Sequence, residues 1–349
     1  MKENKILFRT AGGKAKKQEL GLGHIFRTIN LANQFPKNNV FFLIEDFGGA
    51  KNIFLDYGFK KNIFFIKSDL LIKDDFNITK KIIKNNLINT VVIDKYKISQ
   101  SHVNKLQNYT KVVLIQDLKN KNLQADLLIN GFIGFKNQIF TNKNGTKCLL
   151  GPKYQILNNN FSQKHFKKQK SFDILATFGG FDEKNISDIL ADSLADSLAD
   201  SLADSLESYT SNLKIKIILG PVALKSKKLL SLQKKYPKNI VIIPKTNNMA
   251  KEISHSKFGI CTGGLTTYEF ASMGIPFAII CDEKHQLVTA KEWSKYKIAK
   301  NLGLVNYRTK GKINKLIQDF LDDLIHYKKN SNLIDGFGAK RVANEILKI

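Results

Sequence analysis

The segment Gly21-Leu22-Gly23-His24-Ile25-Phe26-Arg27 sets two glycines, an imidazole and a guanidinium side by side. An apolar run, Ile6 to Thr10, precedes it and a helix-like stretch, His24 to Phe35, follows, so the glycines mark a strand-to-helix turn. Glycine there lets a backbone approach a ligand closely, and a helix N-terminus offers N–H groups to anionic or polar oxygens. His24 stands at the mouth of that turn, where an imidazole titrates near neutral pH. A second turn of the same kind, Gly263-Gly264-Leu265-Thr266-Thr267-Tyr268-Glu269, follows the run Phe258 to Cys261 and leads through Met273-Gly274-Ile275-Pro276 to a new strand, Phe277 to Cys281. Two such turns in different halves predict two nucleotide-fold lobes facing each other across a cleft, each holding one end of a substrate.

The elements that must position these residues alternate regularly. Strand-like runs at Ile6–Arg9, Val40–Ile44, Ile63–Ile66, Thr90–Ile93, Val112–Ile115 and Leu127–Ile129 are separated by helix-length stretches, the signature of βαβ units and a parallel sheet. The pattern restarts at Phe172–Phe178 and continues at Ile215–Leu219, Ile240–Ile243, Phe258–Cys261 and Phe277–Ile280. The expectation is an α/β protein of two Rossmann-like lobes: residues 1–157, a polar, basic linker at 158–170, and residues 171–349, with the final helix, Gly338 to Ile349, a candidate to cross back to the first lobe. Ala191 to Leu206 is four perfect copies of Ala-Asp-Ser-Leu. Leucine every four residues drifts about 40° per copy around a helix, so the first and last leucines cannot pack on one surface. This reads as a repeat expansion lengthening the helix after the Phe178–Asn185 loop; the alternative is a protruding helix that recruits a partner.

Composition narrows the function classes. A chain of 349 residues exceeds what one core usually holds. No apolar run approaches the ~20 residues needed to cross a bilayer, and the expected location is the cytoplasm, with no stable membrane association. Cys148, Cys261 and Cys281 have no metal-ligand spacing and lie mostly in apolar segments, so neither a disulfide framework nor a metal site is expected. The net charge of +26 comes from lysines spread along the whole chain rather than from a basic patch, so nucleic acid is not the expected partner. Arginine is restricted to Arg9, Arg27, Arg308 and Arg341. A guanidinium's planar fork is not replaced by a lysine where bidentate contacts matter.

Arg9-Thr10-Ala11-Gly12-Gly13 with GLGHIFR, VVIDKY at Val91–Tyr96, LLGPKY at Leu149–Tyr154, ATFGGFDEKN at Ala176–Asn185, GGLTTYEFASMGIP at Gly263–Pro276 and DGFGAKRV at Asp335–Val342 run in order along nearly the whole chain. In these segments the sequence resembles the nucleotide-sugar hydrolases of pseudaminic acid biosynthesis and the related spore-coat polysaccharide proteins, which have a glycosyltransferase-B-like fold. The resemblance implies a UDP-activated diacetamido-trideoxy sugar as substrate, with water attacking its anomeric carbon and UDP released with inversion, and it implies no cofactor. His24 falls at the family's catalytic histidine, the candidate general base, which the neighbouring helix N-terminus would keep neutral. Asp94 ends a strand at the carboxyl edge, where it could orient His24, hold the water or bind the sugar; capping the next helix is the alternative. Substrate contacts are further expected from Arg9, Gly21, Gly23, Arg27 and Tyr96. In the second lobe the backbone of Gly263, Gly264, Leu265, Thr266 and Thr267 and both threonine hydroxyls are suited to a diphosphate, Glu269 to the ribose hydroxyls, and Gly179 and Gly180 to close approach by the opposing loop.

The chain departs from the family at three places. It has Asp94-Lys95-Tyr96 where Asp-His-Tyr is more usual, and His285-Gln286 at the Asn-Gln place near phosphate or sugar. Gln116 replaces one of the paired aspartates often seen before Asp117, so Asp117 receives no catalytic role. Two rivals use the same fold. A glycosyltransferase would need an acceptor site, for which Ala15–Leu20 is a candidate insertion; a non-catalytic nucleotide-sugar-binding protein is the other.

Overall fold

In a computed structural model, the structure describes residues 4–14, 19–68, 70–95, 98–119, 122–162, 170–203, 213–223, 225–321 and 333–349. The chain divides into two compact units, residues 1–162 with 334–349, and residues 163–333. The last helix therefore belongs to the first unit, and the chain passes from the first unit to the second at about residue 162 and returns at 334. Much of the expected linker, 163–169, lies outside the described residues.

The first unit is built on strands β1 (Ile6–Lys14), β2 (Glu19–Gly21), β3 (Val40–Asp46), β4 (Ile63–Ile66), β5 (Thr90–Asp94), β6 (Lys111–Ile115), β7 (Leu127–Asn130), β8 (Gln138–Thr141) and β9 (Lys147–Leu150). They lie in the order β4-β3-β1-β5-β6-β7-β9-β8, parallel except for β8, with β2 turned back antiparallel on the end of β1. Val40–Ile44 and Thr90–Asp94 are buried throughout, as strands covered by helices on both faces must be. Helices α1 (Gly23–Ala32), α2 (Ala50–Asp56), α3 (Ile72–Asn86) and α4 (Gln100–Gln107) connect the strands. One core cluster packs Leu7, Leu43, Val91 and Ile93 of the sheet against Ile82, Ile83, Val103 and Leu106 of α3 and α4.

The second unit carries β10 (Phe172–Thr177), β11 (Ile215–Ile218), β12 (Ile240–Ile243), β13 (Ser256–Cys261), β14 (Phe277–Cys281) and β15 (Ala299–Leu304), all parallel in the order β12-β11-β10-β13-β14-β15. Its helices are α5 (Ile186–Ala203), α6 (Lys227–Lys235), α7 (Met249–Ser254), α8 (Thr266–Ser272), α9 (Gln286–Ser294) and α10 (Thr309–Leu321). In each unit the strand order reverses beside the first strand, between β1 and β5 and between β10 and β13. Ligands of doubly wound sheets bind outside the carboxyl ends of strands at such a reversal.

The repeat begins inside α5. Leu190, Ala191 and Leu194 enter the core, while Asp192 pairs with Lys228 and Asp196 with Lys310 on the flanking helices. Residues 204–206 of the repeat lie outside the described residues. Helix α11 (Gly338–Ile346) is held in the first unit by Lys147–Glu345 and by Arg341, which pairs with Asp335 and donates to the Lys153 carbonyl at 3.1 Å. Its entry is so close that a Cβ on Gly338 would lie 2.0 Å from the Gln155 carbonyl oxygen. No described helix is long and apolar enough to cross a membrane.

Candidate active site

Helix α1 starts at Gly23, two residues after Gly21, which is in left-handed conformation at φ +59°, and beyond the adjoining chain no atom lies within 4 Å of a Cβ built on either glycine. His24 and Arg27, three residues apart, share a helix face. That face meets the end of β5. His24 Nδ1 lies 2.6 Å from Asp94 Oδ1, Arg27 Nε donates to Asp94 Oδ2 at 2.7 Å, and Arg27 Nη2 donates to Asp94 Oδ1 at 2.6 Å. The same guanidinium reaches Asp117, just past β6, at 2.5 and 2.9 Å. Asp94 is buried, the Asp117 side chain is 51% exposed, and His24 lies between these extremes at 15%.

The electrostatics follow from this geometry. Burial pushes the His24 imidazole down, but the charge and hydrogen bond of Asp94 outweigh it, with Asp117 adding to them and Arg27 opposing, so the net shift is upward. This revises the expectation that the helix N-terminus keeps His24 neutral: a buried carboxylate at hydrogen-bond distance dominates a partial helix charge. Burial likewise pushes the Asp94 carboxyl up, but the charges of Arg27 and His24 hold it below the usual range. His24, Asp94 and Asp117 offer ligand atoms within 4.8 Å of one another, the spacing a metal ion would need. Arg27 already supplies a cation to both carboxylates, so no metal is assigned there.

Arg27 and Arg9, both expected to face substrate, are instead buried and internally paired. Arg9, 1% exposed, donates to Asp75 at 2.9 Å through both Nε and Nη2, to Glu45 at 2.7 Å and to the Thr10 carbonyl at 2.7 Å. A guanidinium this fully engaged builds the wall of a site rather than receiving a ligand. Tyr96 lies outside the described residues.

In the second unit, the loops after β10 and β13 lie at the strand-order reversal. Gly179 has φ +78°, and a Cβ on Gly220, beyond β11, would come within 2.3 Å of the Gly179 and Gly180 carbonyl oxygens. Three glycines thus let two loops touch. Gly263 N donates to Gln286 Oε1 at 2.9 Å, and a Cβ there would sit 2.7 Å from Gln286 Cβ. Gln286, expected beside phosphate or sugar, braces the loop; His285 precedes it on the exposed start of α9. Thr267 departs from expectation. It is buried, its hydroxyl donates to the Gly264 carbonyl at 2.8 Å and accepts from Trp293 Nε1 at 2.9 Å, and its N–H reaches the same carbonyl at 3.3 Å. Among the described residues the backbone N–H groups of Gly264, Leu265 and Thr266 have no such internal partner. Glu269, one turn on, is pushed up to about 7 by burial, against a hydrogen bond from Thr266.

The comparisons with known proteins agree with this architecture. Residues 190–346 match the glycosyltransferase family 28 C-terminal domain. Acinetobacter baumannii MurG superposes with a TM-score of 0.65 at 17% identity, covering 99% of this chain and 100% of that one. A Neisseria meningitidis UDP-GlcNAc 2-epimerase bound to UDP-GlcNAc gives 0.61 at 13%, covering 99% and 100%. The fold is glycosyltransferase-B-like. In sequence, the chain is 30% identical over 285 residues to an uncharacterised Methanocaldococcus jannaschii protein, covering 77% of this chain but 54% of that one, so it spans about half of that relative's length. It is 25% identical over 248 residues to the Bacillus subtilis spore coat polysaccharide biosynthesis protein SpsG, covering 68% of this chain and 69% of SpsG.

Sequence reasoning missed Asp117 as a partner of the site. The signal was present in its place two residues beyond β6, an apolar strand next to β5, whose last residue is Asp94.

Proposed function

We propose that the chain hydrolyses a UDP-activated diacetamido-trideoxy sugar, with the nucleotide held by the second unit and the sugar presented to His24 of the first. The observation that carries this reading is the 2.6 Å contact between His24 Nδ1 and Asp94 Oδ1 at the strand-order reversal. That hydrogen bond fixes the neutral tautomer with its proton on Nδ1, which leaves the Nε2 lone pair for a water. The water oxygen attacks the anomeric carbon as its proton passes to Nε2. The bond from that carbon to the diphosphate oxygen breaks, and the electron pair leaves with UDP. Support on the nucleotide side comes from the N–H groups of Gly264, Leu265 and Thr266 for diphosphate oxygens and from the Glu269 carboxylate for ribose hydroxyls. The polysaccharide-biosynthesis name of SpsG and the UDP-GlcNAc held by the structural neighbour favour the same substrate class.

A second reading, glycosyl transfer to an acceptor, is favoured by the family 28 match. Acceptor-free release of UDP separates the two. Hydrolysis predicts steady release with water alone, whereas transfer predicts release only once a carbohydrate or lipid acceptor is added.

A further inference from the structure

Two ionic networks lie back to back at the carboxyl edge of the first sheet. Side chains alternate across a strand, so consecutive residues serve opposite faces. Thr10 and Asp94 are in register on β1 and β5, and Asp94 meets His24 and Arg27 on the α1 face. Arg9, Glu45 and Lys95 fall on the other face, together with Asp75 of α3. There Lys95 Nζ lies 2.8 Å from Asp75 Oδ2 and 2.9 Å from Glu45 Oε2, the same two carboxylates that Arg9 holds. Two cations match two carboxylates in a region where the side chains are 1 to 19% exposed, so every charge has a partner.

The strand itself gives out at this point. β5 pairs with β6 as far as Ile93 opposite Leu114, and with β1 as far as Asp94 opposite Thr10. Lys95 is the next residue, and its ammonium ties the chain to β3 and α3 at the place where the ladder ends. We propose that Lys95 is a positioning residue for the His24–Asp94 pair: its ion pairs with Glu45 and Asp75 fix the end of β5, and with it the angle at which Asp94 presents its carboxylate to His24 and Arg27. This rests on reading His24 and Asp94 as the reactive pair. It assigns a role to one of the positions where the chain departs from its resembling family, and it explains why a long cationic side chain is needed there: its charge must reach two carboxylates at once.

A displacement of about 1 Å at a reacting group can cost about a hundredfold in rate. Lys95→Met keeps the stem and removes the charge. It is expected to lower kcat for UDP release about tenfold, to leave UDP affinity unchanged, and to move the His24 titration, followed by NMR of the imidazole, to lower pH as Asp94 loosens. Lys95→Arg should restore most of both. Were Lys95→Met to be unstable yet show wild-type kcat and an unchanged His24 titration, Lys95 would be structural only and the proposal wrong. If Lys95→Met does not fold, Glu45→Gln removes one of the two partners of Lys95 and should shift kcat and the titration in the same directions; no shift would overturn the proposal. Should the wild type release no UDP, the hydrolase reading fails, while the His24 titration in the Lys95 variants still decides this inference.

Discussion

Asp94→Asn perturbs the site at its most connected atom pair. Asp94 accepts two hydrogen bonds from Arg27 and one from His24 while buried. Breaking a buried ion pair by removing one partner costs about 3–5 kcal/mol. Arg27 keeps its two contacts to Asp117, so the lower end applies, within the roughly 5–15 kcal/mol by which a domain is stable. The variant should therefore fold. Its chemistry should not survive: an amide can donate to Nδ1, which moves the imidazole proton to Nε2 and removes the lone pair that takes the proton from water. Turnover is expected to fall about 10²- to 10⁴-fold. The pH profile gives an independent reading. Asp94 supplies the largest upward influence on His24, so the wild-type acid limb is expected above the ordinary histidine value of 6.5, and Asp94→Asn should carry the residual acid limb to lower pH. UDP release would be followed across pH 5 to 9 by a coupled UDP assay. A folded Asp94→Asn protein with wild-type turnover and an unmoved acid limb would refute the dyad.

Glu269→Ala should weaken UDP by roughly ten- to a hundredfold in calorimetry, since hydrogen bonds to a charged acceptor contribute about 1.5–3 kcal/mol. Because burial raises Glu269 to about 7 and only the ionised form accepts from both hydroxyls, UDP affinity should rise between pH 6 and pH 8 in the wild type and stay flat in Glu269→Gln. Deleting twelve residues of the repeat leaves one copy to supply the buried Ala191 and Leu194 and removes the exposed Asp196–Lys310 pair, which is worth little; the protein should keep its fold and turnover, and a folded, inactive deletion would give the repeat a function. Random duplex DNA should shift only weakly at physiological salt and lose binding as salt is added, whereas tight, sequence-dependent binding would make the +26 charge a nucleic-acid footprint.

The parallel sheets were legible because fully covered strands read as short continuous apolar runs bounded by turns. Each of the eleven runs read from the sequence falls on a strand. Most of the elements that escaped lack that signal: β8 has only exposed or half-buried residues, β15 carries Lys300, Asn301 and Gly303, and β2 exists only because it pairs back on β1. β9 is the exception, with a buried apolar run, Cys148–Leu150, as short as that of β7. At the candidate site, the juxtaposition of His24 with Asp94 could be expected from two strand ends beside a reversal. What each arginine does could not. Arg9 and Arg27 resemble ligand-binding residues in sequence, but their partners Asp75 and Asp117 stand 66 and 90 positions away, and only the folded sheet brings them together. Thr267 likewise reads as a phosphate-binding hydroxyl until Trp293, 26 residues later, is seen to occupy it.

Hydrolysis by way of His24 is decided by incubating a UDP-linked diacetamido-trideoxy sugar with the wild type and with His24→Asn, without any acceptor, and measuring UDP. Steady release by the wild type is expected, with a rate about 10²- to 10⁴-fold lower for His24→Asn and UDP affinity nearly unchanged. Equal rates would remove His24 from the mechanism, and release that begins only after an acceptor is added would contradict hydrolysis.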